Sequence, residues 1–133
     1  MLFRDQKSTF RKLASVSQDR GEIWSKPQIT NIPDARTKQC AGNLPDGTSY
    51  MVCCPANGKR RWPLVLLLSQ DGVRFDKAIL LRSGKADDLP SRRYEDKYKT
   101  LGFSYPKAFV YNNSLYVGYS VNKEDVQCTI IPL

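Results

Sequence analysis

The chain has 133 residues, 41% hydrophobic and 26% charged, with a formal net charge of +8, which is about one ordinary globular domain of chain. It contains no histidine. That excludes Ser-His-Asp and Cys-His chemistry within the chain and removes the commonest zinc ligand.

Met1-Leu2-Phe3 runs straight into Arg4, Asp5, Gln6 and Lys7, so no apolar leader opens the chain. A leader removed from a longer precursor would leave a secreted or periplasmic parent. Phe10, Leu13 and Val16 mark a short strand ending at Ser17. Asp19 and Gly21 supply turn chemistry, and the chain returns through Glu22 to Trp24. An extended piece around Ile29-Thr30 is punctuated by Pro27 and Pro33. Leu44-Pro45-Asp46-Gly47 is a hairpin signal, because Asp-Gly tolerates the positive φ of a tight turn. Ser49 to Cys54 follows as a strand. Leu64 to Leu68 is continuously apolar, far shorter than the ~20 residues of a membrane span, and reads as a strand buried on both faces. Ala78 to Leu81 is its return partner.

Residues 84–102 are polar and charged, with Pro90 inside, and read as a long loop with a short helical turn near Glu95 to Lys99. Lys107 to Tyr111 is a strand, Asn112-Asn113 a turn that tolerates left-handed φ, and Leu115 to Ser120 the return strand. Lys123-Glu124-Asp125 reads as a solvated turn before a last strand, Val126 to Ile131. Tyr111, Tyr116 and Tyr119 read as packing residues.

Cys40, Cys53, Cys54 and Cys128 lack a C-x-x-C spacing, so neither a zinc site nor any other metal site is expected. They read as mostly buried free thiols, with Cys53 and Cys54 on opposite faces of one strand. A disulfide from Cys40 to Cys53 or Cys54 stays open. Excess positive charge draws anions such as acidic sugars or phosphates. Nucleic acid is not an expected partner, because the basic residues are scattered apart from Lys59-Arg60-Arg61 and Arg92-Arg93, and no recognised module is present.

About nine short strands and no amphipathic helix define an all-β chain. Two segments share a grammar: Ser17 to Trp24 reads S-x-D-x-G-x-x-W, and 52 positions later Ser69 to Phe75 reads S-x-D-G-x-x-F. A repeat of this kind indicates stacked β units, and four-stranded antiparallel blades make a propeller. Counting strands from the two turns predicts an incomplete ring of about two blades. Residues 10–32 form half a blade, 39–82 a full blade and 105–133 a last, incomplete one. Such a piece exposes apolar faces and unpaired edges, so it is expected to meet the missing blades or self-associate. A ring built from several copies is a lesser alternative.

The S-x-D-x-G-x-x-W element resembles the Asp-box of the sialidase (BNR-repeat) superfamily. The likeness implies that Ser17, Asp19, Gly21 and Trp24, and again Ser69, Asp71, Gly72 and Phe75, are structural turn residues and not catalytic ones. The order of Trp24 to Pro27, Cys40 to Gly47 and Arg61 to Ser69 also resembles the later, C-terminal blades of such a propeller. Arg61 stands eight residues before Ser69. The resemblance implies that Arg61 belongs to the arginine triad that clamps a sialic acid carboxylate, a task suited to the planar guanidinium fork. Trp62 beside it either stacks on a sugar or packs within the blade.

Tyr105 to Asn113 resembles the strand that begins with the family's catalytic tyrosine, a known exception to paired-carboxylate glycoside hydrolysis. Pro106 and Asn112-Asn113-Ser114 depart from the usual Tyr-Ser and D-G pattern. A tyrosine with an ordinary pKa of ~10 needs a neighbouring carboxylate base. Glu22, Glu95 and Glu124 all fall in turns or loops. The other arginines, an acid/base Asp and the activating Glu would come from earlier blades. The expectation is therefore a fragment of a sialidase-like glycoside hydrolase for acidic glycans, inactive alone and needing no cofactor. The alternative is a non-catalytic propeller module that binds carbohydrate or protein.

Overall fold

The structure is a computed structural model and describes residues 1–5, 7 and 9–133. Its strands, in chain order, are β1 (Leu2–Arg4), β2 (Arg11–Ala14), β3 (Gln28–Pro33), β4 (Cys40–Asn43), β5 (Ser49–Cys53), β6 (Leu64–Ser69), β7 (Lys77–Arg82), β8 (Phe103–Tyr111), β9 (Ser114–Val121) and β10 (Asp125–Pro132). They form three antiparallel sheets, ordered β1-β2-β3, β4-β5-β6-β7 and β10-β9-β8. The sheets stack and do not close, as expected of part of a propeller. No helix forms among the described residues. Near Asp96 the chain makes a single turn, closed by Lys99 N–H donating to the Asp96 carbonyl.

One strand, β1, is absent from the sequence-based reading. It is three residues long and flanked by charge, and it exists by pairing with β2, with Phe3 opposite Leu13. The first sheet therefore starts at Leu2, well before residue 10.

The middle sheet explains the apolar pattern of β5 and β6. Tyr50, Val52, Cys54, Leu64 and Leu66 pack toward the third sheet, against Phe103, Leu115, Val117, Tyr119 and Val121. The alternate residues Met51, Cys53, Val65 and Leu67 pack toward the first, against Leu2, Ile32 and Phe75. A strand covered on both faces needs no polar face, and each fully buried Leu or Val contributes about 1.5–3 kcal/mol. Cys53 and Cys54 lie on opposite faces, as the strand period requires, and all four cysteines are free. Cys128 is exposed, a departure from the expectation of buried thiols. Its strand β10 has no fourth strand beside it.

Between the first and middle sheets lies a buried ion pair. Lys12 Nζ is 3.0 Å from Asp34 Oδ1, and both side chains are inaccessible to solvent. Across the other interface, the Tyr50 hydroxyl donates to the Ala108 carbonyl, and Ala108 N–H donates to Cys40 Sγ.

Strand alternation sorts the connections to two ends. Residues 34–39, 54–63, 83–102 and 122–124 gather at one end. Ala35 N–H donates to the Cys54 carbonyl, Phe103 N–H to that of Arg61, and Asn122 N–H to that of Gly102. The hairpin turns of residues 15–27, 44–48, 70–76 and 112–113 lie at the other end. Asn112 and Asn113 have φ of 44° and 53°, the left-handed pair of a two-residue hairpin.

Candidate functional site

The 15–27 and 70–76 hairpins hold the two S-x-D segments, and their carboxylates are occupied by their own turns. Ser17 Oγ donates to Asp19 Oδ1 at 2.6 Å, and Ile23 N–H donates to Asp19 at 2.9 and 3.1 Å. Gly21, with φ of 99°, donates its N–H to Ser17 Oγ, and Trp24 Nε1 closes the turn on the Gly21 carbonyl. In the second segment Ser69 Oγ, Val73 N–H and Arg74 N–H all donate to Asp71 Oδ1, at 2.9, 2.8 and 2.7 Å. Gly72 has φ of 71°. Donated hydrogen bonds favour a charged carboxylate. Asp19 is held below its ordinary pKa first by the Ile23 amide and then by Ser17, and Asp71 by the amides of Arg74 and Val73. Trp24 stays partly exposed, whereas Phe75 packs into the core between the first and middle sheets. A hollow of about 370 Å³ beside the first hairpin is lined by Val16, Asp19, Ile23 and Trp24. It lies at the end opposite Arg61, and its carboxylate is committed to the turn, so the hollow carries no chemistry.

Arg61, Trp62 and Tyr105 lie at the other end. The Arg61 backbone bridges Gly102 in parallel fashion, and its Nη1 donates to Ser104 Oγ at 3.0 Å. This places a half-buried guanidinium beside the residue preceding Tyr105. Among the described residues no carboxylate pairs with Arg61, and its other N–H groups have no protein acceptor. The approach depends on Gly102, whose φ is +116° and whose added Cβ would lie 2.6 Å from Arg61 Cβ and 2.7 Å from its carbonyl oxygen. Trp62 packs against the core, and its indole lies against Gly84.

Tyr105 interrupts the regularity of β8. The ladder with β9 shifts register between Ser104 and Lys107, and Tyr105 takes φ of 54°. A non-glycine residue held there costs on the order of 1–3 kcal/mol, and such conformations cluster at functional sites. The shift leaves Pro106 buried and turns Tyr105 outward, 47% exposed. Two ammonium groups approach its ring: Lys38 Nζ at 5.8 Å from the centroid and Lys123 Nζ at 5.9 Å. Among the described residues the Tyr105 hydroxyl has no hydrogen-bond partner, and no carboxylate touches it.

Glu124 is not that base. Its side chain is 2% exposed and accepts the backbone N–H groups of Arg93 and Tyr94. Those two amides, Arg93 first, hold it below its ordinary pKa. The solvated-turn reading is thereby corrected. In the 122–125 turn, Asn122 donates to the Pro90 carbonyl and accepts Gly102 N–H, Lys123 donates to the Tyr98 carbonyl, and Asp125 binds Arg93 Nη2 at 2.6 Å. The long loop is thus fastened to the third sheet by one turn. Sequence spacing misses this, because the partners lie some 20 to 32 residues apart.

The charge of the two ends differs. Both basic runs, Lys59-Arg60-Arg61 and Arg92-Arg93, lie at the Tyr105 end with Lys38 and Lys123, where the connections carry eleven Lys and Arg against six Asp and Glu. The opposite hairpins carry Asp19, Glu22, Asp46, Asp71 and Asp76 against Arg20, Lys26 and Arg74. Convergent cations in a partly desolvated setting favour an anionic group.

Comparison with known proteins gives two likenesses. A family model described as a BNR repeat-like domain matches residues 1–117. A solved sialidase structure is similar over 91% of this chain, with 32% sequence identity and a TM-score of 0.73. The chain spans 11% of that sialidase's length. Among curated proteins no match is found.

Proposed function

The chain belongs to the BNR repeat-like family, and from that membership we propose that it is a portion of a sialidase-like glycoside hydrolase acting on acidic glycans. The observation that carries the reading is Arg61, a half-buried guanidinium without a carboxylate partner among the described residues, held on Ser104, the residue before an outward-turned Tyr105. Arg61 would grip the sugar carboxylate with its uncommitted N–H groups. Tyr105 would face the anomeric carbon. The two S-x-D hairpins are Asp-boxes in this reading, holding the blades and taking no part in chemistry. The missing carboxylate base and the rest of the arginine clamp would be supplied by further blades, so the chain by itself binds weakly and does not turn over.

Those blades would seat on the open sheet faces. On the third sheet Phe109 and Tyr116 stack at 5.3 Å, and Phe109, Tyr111 and Ile130 are well exposed. On the first sheet Phe3, Leu13 and Ile29 align in register across β1, β2 and β3.

The test is hydrolysis of a fluorogenic sialoside by the 133-residue chain alone and fused to the blades encoded beside it. The expected result is turnover by the fused protein only, abolished by Arg61→Ala and by Tyr105→Phe. Absence of turnover in the fused protein would remove the hydrolase reading. Retained sialoside binding without turnover would assign the chain to a carbohydrate-binding module.

A further inference from the structure

We propose that Lys38 and Lys123, with the face of Tyr105 between them, form a subsite for a second acidic group on the glycan, a sulfate or carboxylate next to the one taken by Arg61. The sugar in this proposal rests on the Arg61 reading above. The charge preference does not.

Two ammonium groups from different elements converge on one aromatic ring. Lys38 lies in the segment before β4, and Lys123 lies in the turn between β9 and β10 with φ of 57°. Each is within 6 Å of the ring centroid, the range of a cation–π contact. The ring face attracts each ammonium, but the two like charges still repel each other, and a negative group lying between them would relieve that repulsion. Among the described residues nothing does, since neither lysine has a carboxylate within ion-pair distance. Lys123 spends one hydrogen on the Tyr98 carbonyl, which fixes its direction. Lys38 is exposed and makes no hydrogen bond among the described residues. An oxyanion seated against the ring edge, which is the positive part of the aromatic quadrupole, would lie within a Debye length of both ammonium groups and be attracted by each. Lysine suits a tetrahedral or rotating oxyanion, because it acts as a point charge with three rotatable donors. Arg61, a planar fork, suits a carboxylate.

Binding of 3′-sialyllactose, its 6-sulfated form and disialyllactose to the 133-residue chain tests the subsite. The readouts are dissociation constants and the Tyr105 ring resonances in NMR titrations. The wild-type chain should bind the doubly charged sugars about tenfold tighter than 3′-sialyllactose at low salt, as one added charge contact allows. Lys38→Ala and the double variant Lys38→Ala/Lys123→Ala should erase that gain, and Lys38→Arg should keep most of it. Lys38→Ala guards against a loosened loop, since Lys38 does not hold residues 90–99. A gain for the sulfated sugar alone assigns sulfate, and a gain for both assigns any oxyanion. Equal binding of all three sugars, or a gain that survives the double variant, overturns the subsite while leaving the Arg61 reading standing. No binding of 3′-sialyllactose with a lysine-dependent gain on sulfation keeps the subsite and sinks the sialoside reading. No binding of any sugar overturns the subsite, while the hydrolase reading is decided by turnover of the fused protein.

Discussion

Breaking the pair between Lys12 and Asp34 should cost more than most single changes in this protein. Both side chains are inaccessible, and the ions are 3.0 Å apart between the first and middle sheets. Asp34 Oδ2 has no hydrogen-bond partner among the described residues, so the pair is the main compensation each charge has. Removing one member of a buried pair leaves the other uncompensated and costs about 3–5 kcal/mol, a large share of a total stability on the order of 5–15 kcal/mol. Replacing both by apolar residues of similar size is close to neutral. Lys12→Met and Asp34→Leu should therefore each lower the urea midpoint by about 2 M for an m value near 2 kcal/mol/M. The double variant should return to within about 1 kcal/mol of the wild type, giving a strong coupling in the double-mutant cycle. Equilibrium urea unfolding followed by tryptophan fluorescence measures all four proteins. Single losses below about 1 kcal/mol that simply add in the double variant would mean that water reaches the pair in solution, and the argument from burial would fail.

Three further outcomes follow from the same structure. Gly102→Ala should destabilise the chain by on the order of 2–4 kcal/mol, through left-handed strain and overlap with Arg61, whereas Gly47→Ala meets no nearby atom and bears only the backbone strain. A larger loss of melting temperature at Gly47 would contradict the crowding described at Arg61. Asp19, Asp46, Asp71 and Asp88 all titrate below the ordinary carboxylate value in the folded chain, because donated hydrogen bonds favour the charged form. Unfolded carboxylates bind protons first, so this stabilisation is complete above about pH 5 and fades as pH falls through the unfolded and then the lower folded values. Asp71→Asn should flatten part of the loss in urea midpoint between pH 5 and pH 3, and an unchanged slope would count against it. Burial pushes the Cys53 thiol up to about 12 and the Cys54 thiol up to about 11. A thiol reagent at pH 8 should label Cys128 rapidly in the native chain and the buried pair only after unfolding; rapid native labelling of Cys53 or Cys54 would refute the packing of β5.

Local pattern alone determined much of this protein. The apolar run at Leu64 to Leu68 reads as a strand covered on both faces, because it is short and bounded by Pro63 and the Ser69 turn, and it is the centre of the middle sheet. Asn112-Asn113 and Asp46-Gly47 are turns because their residues tolerate the backbone angles that tight reversal requires. The repeated S-x-D grammar located two equivalent hairpins, since a carboxylate two residues after a serine satisfies amides within reach of its own turn. These are all interactions between neighbours in the chain.

Tertiary structure decided the remainder, because its partners are far apart in sequence and their meeting depends on how sheets stack. The strand β1 has too few residues to announce itself and is made by β2. The carboxylate of Glu124, at the head of an ordinary charged turn, is buried by amides some 30 residues earlier. Arg61 could be picked out by its spacing, but its lack of a carboxylate partner and its seat on Ser104 are facts of packing. The two lysines at Tyr105 come from positions 38 and 123, and only the juxtaposition of the middle and third sheets brings their charges to one ring.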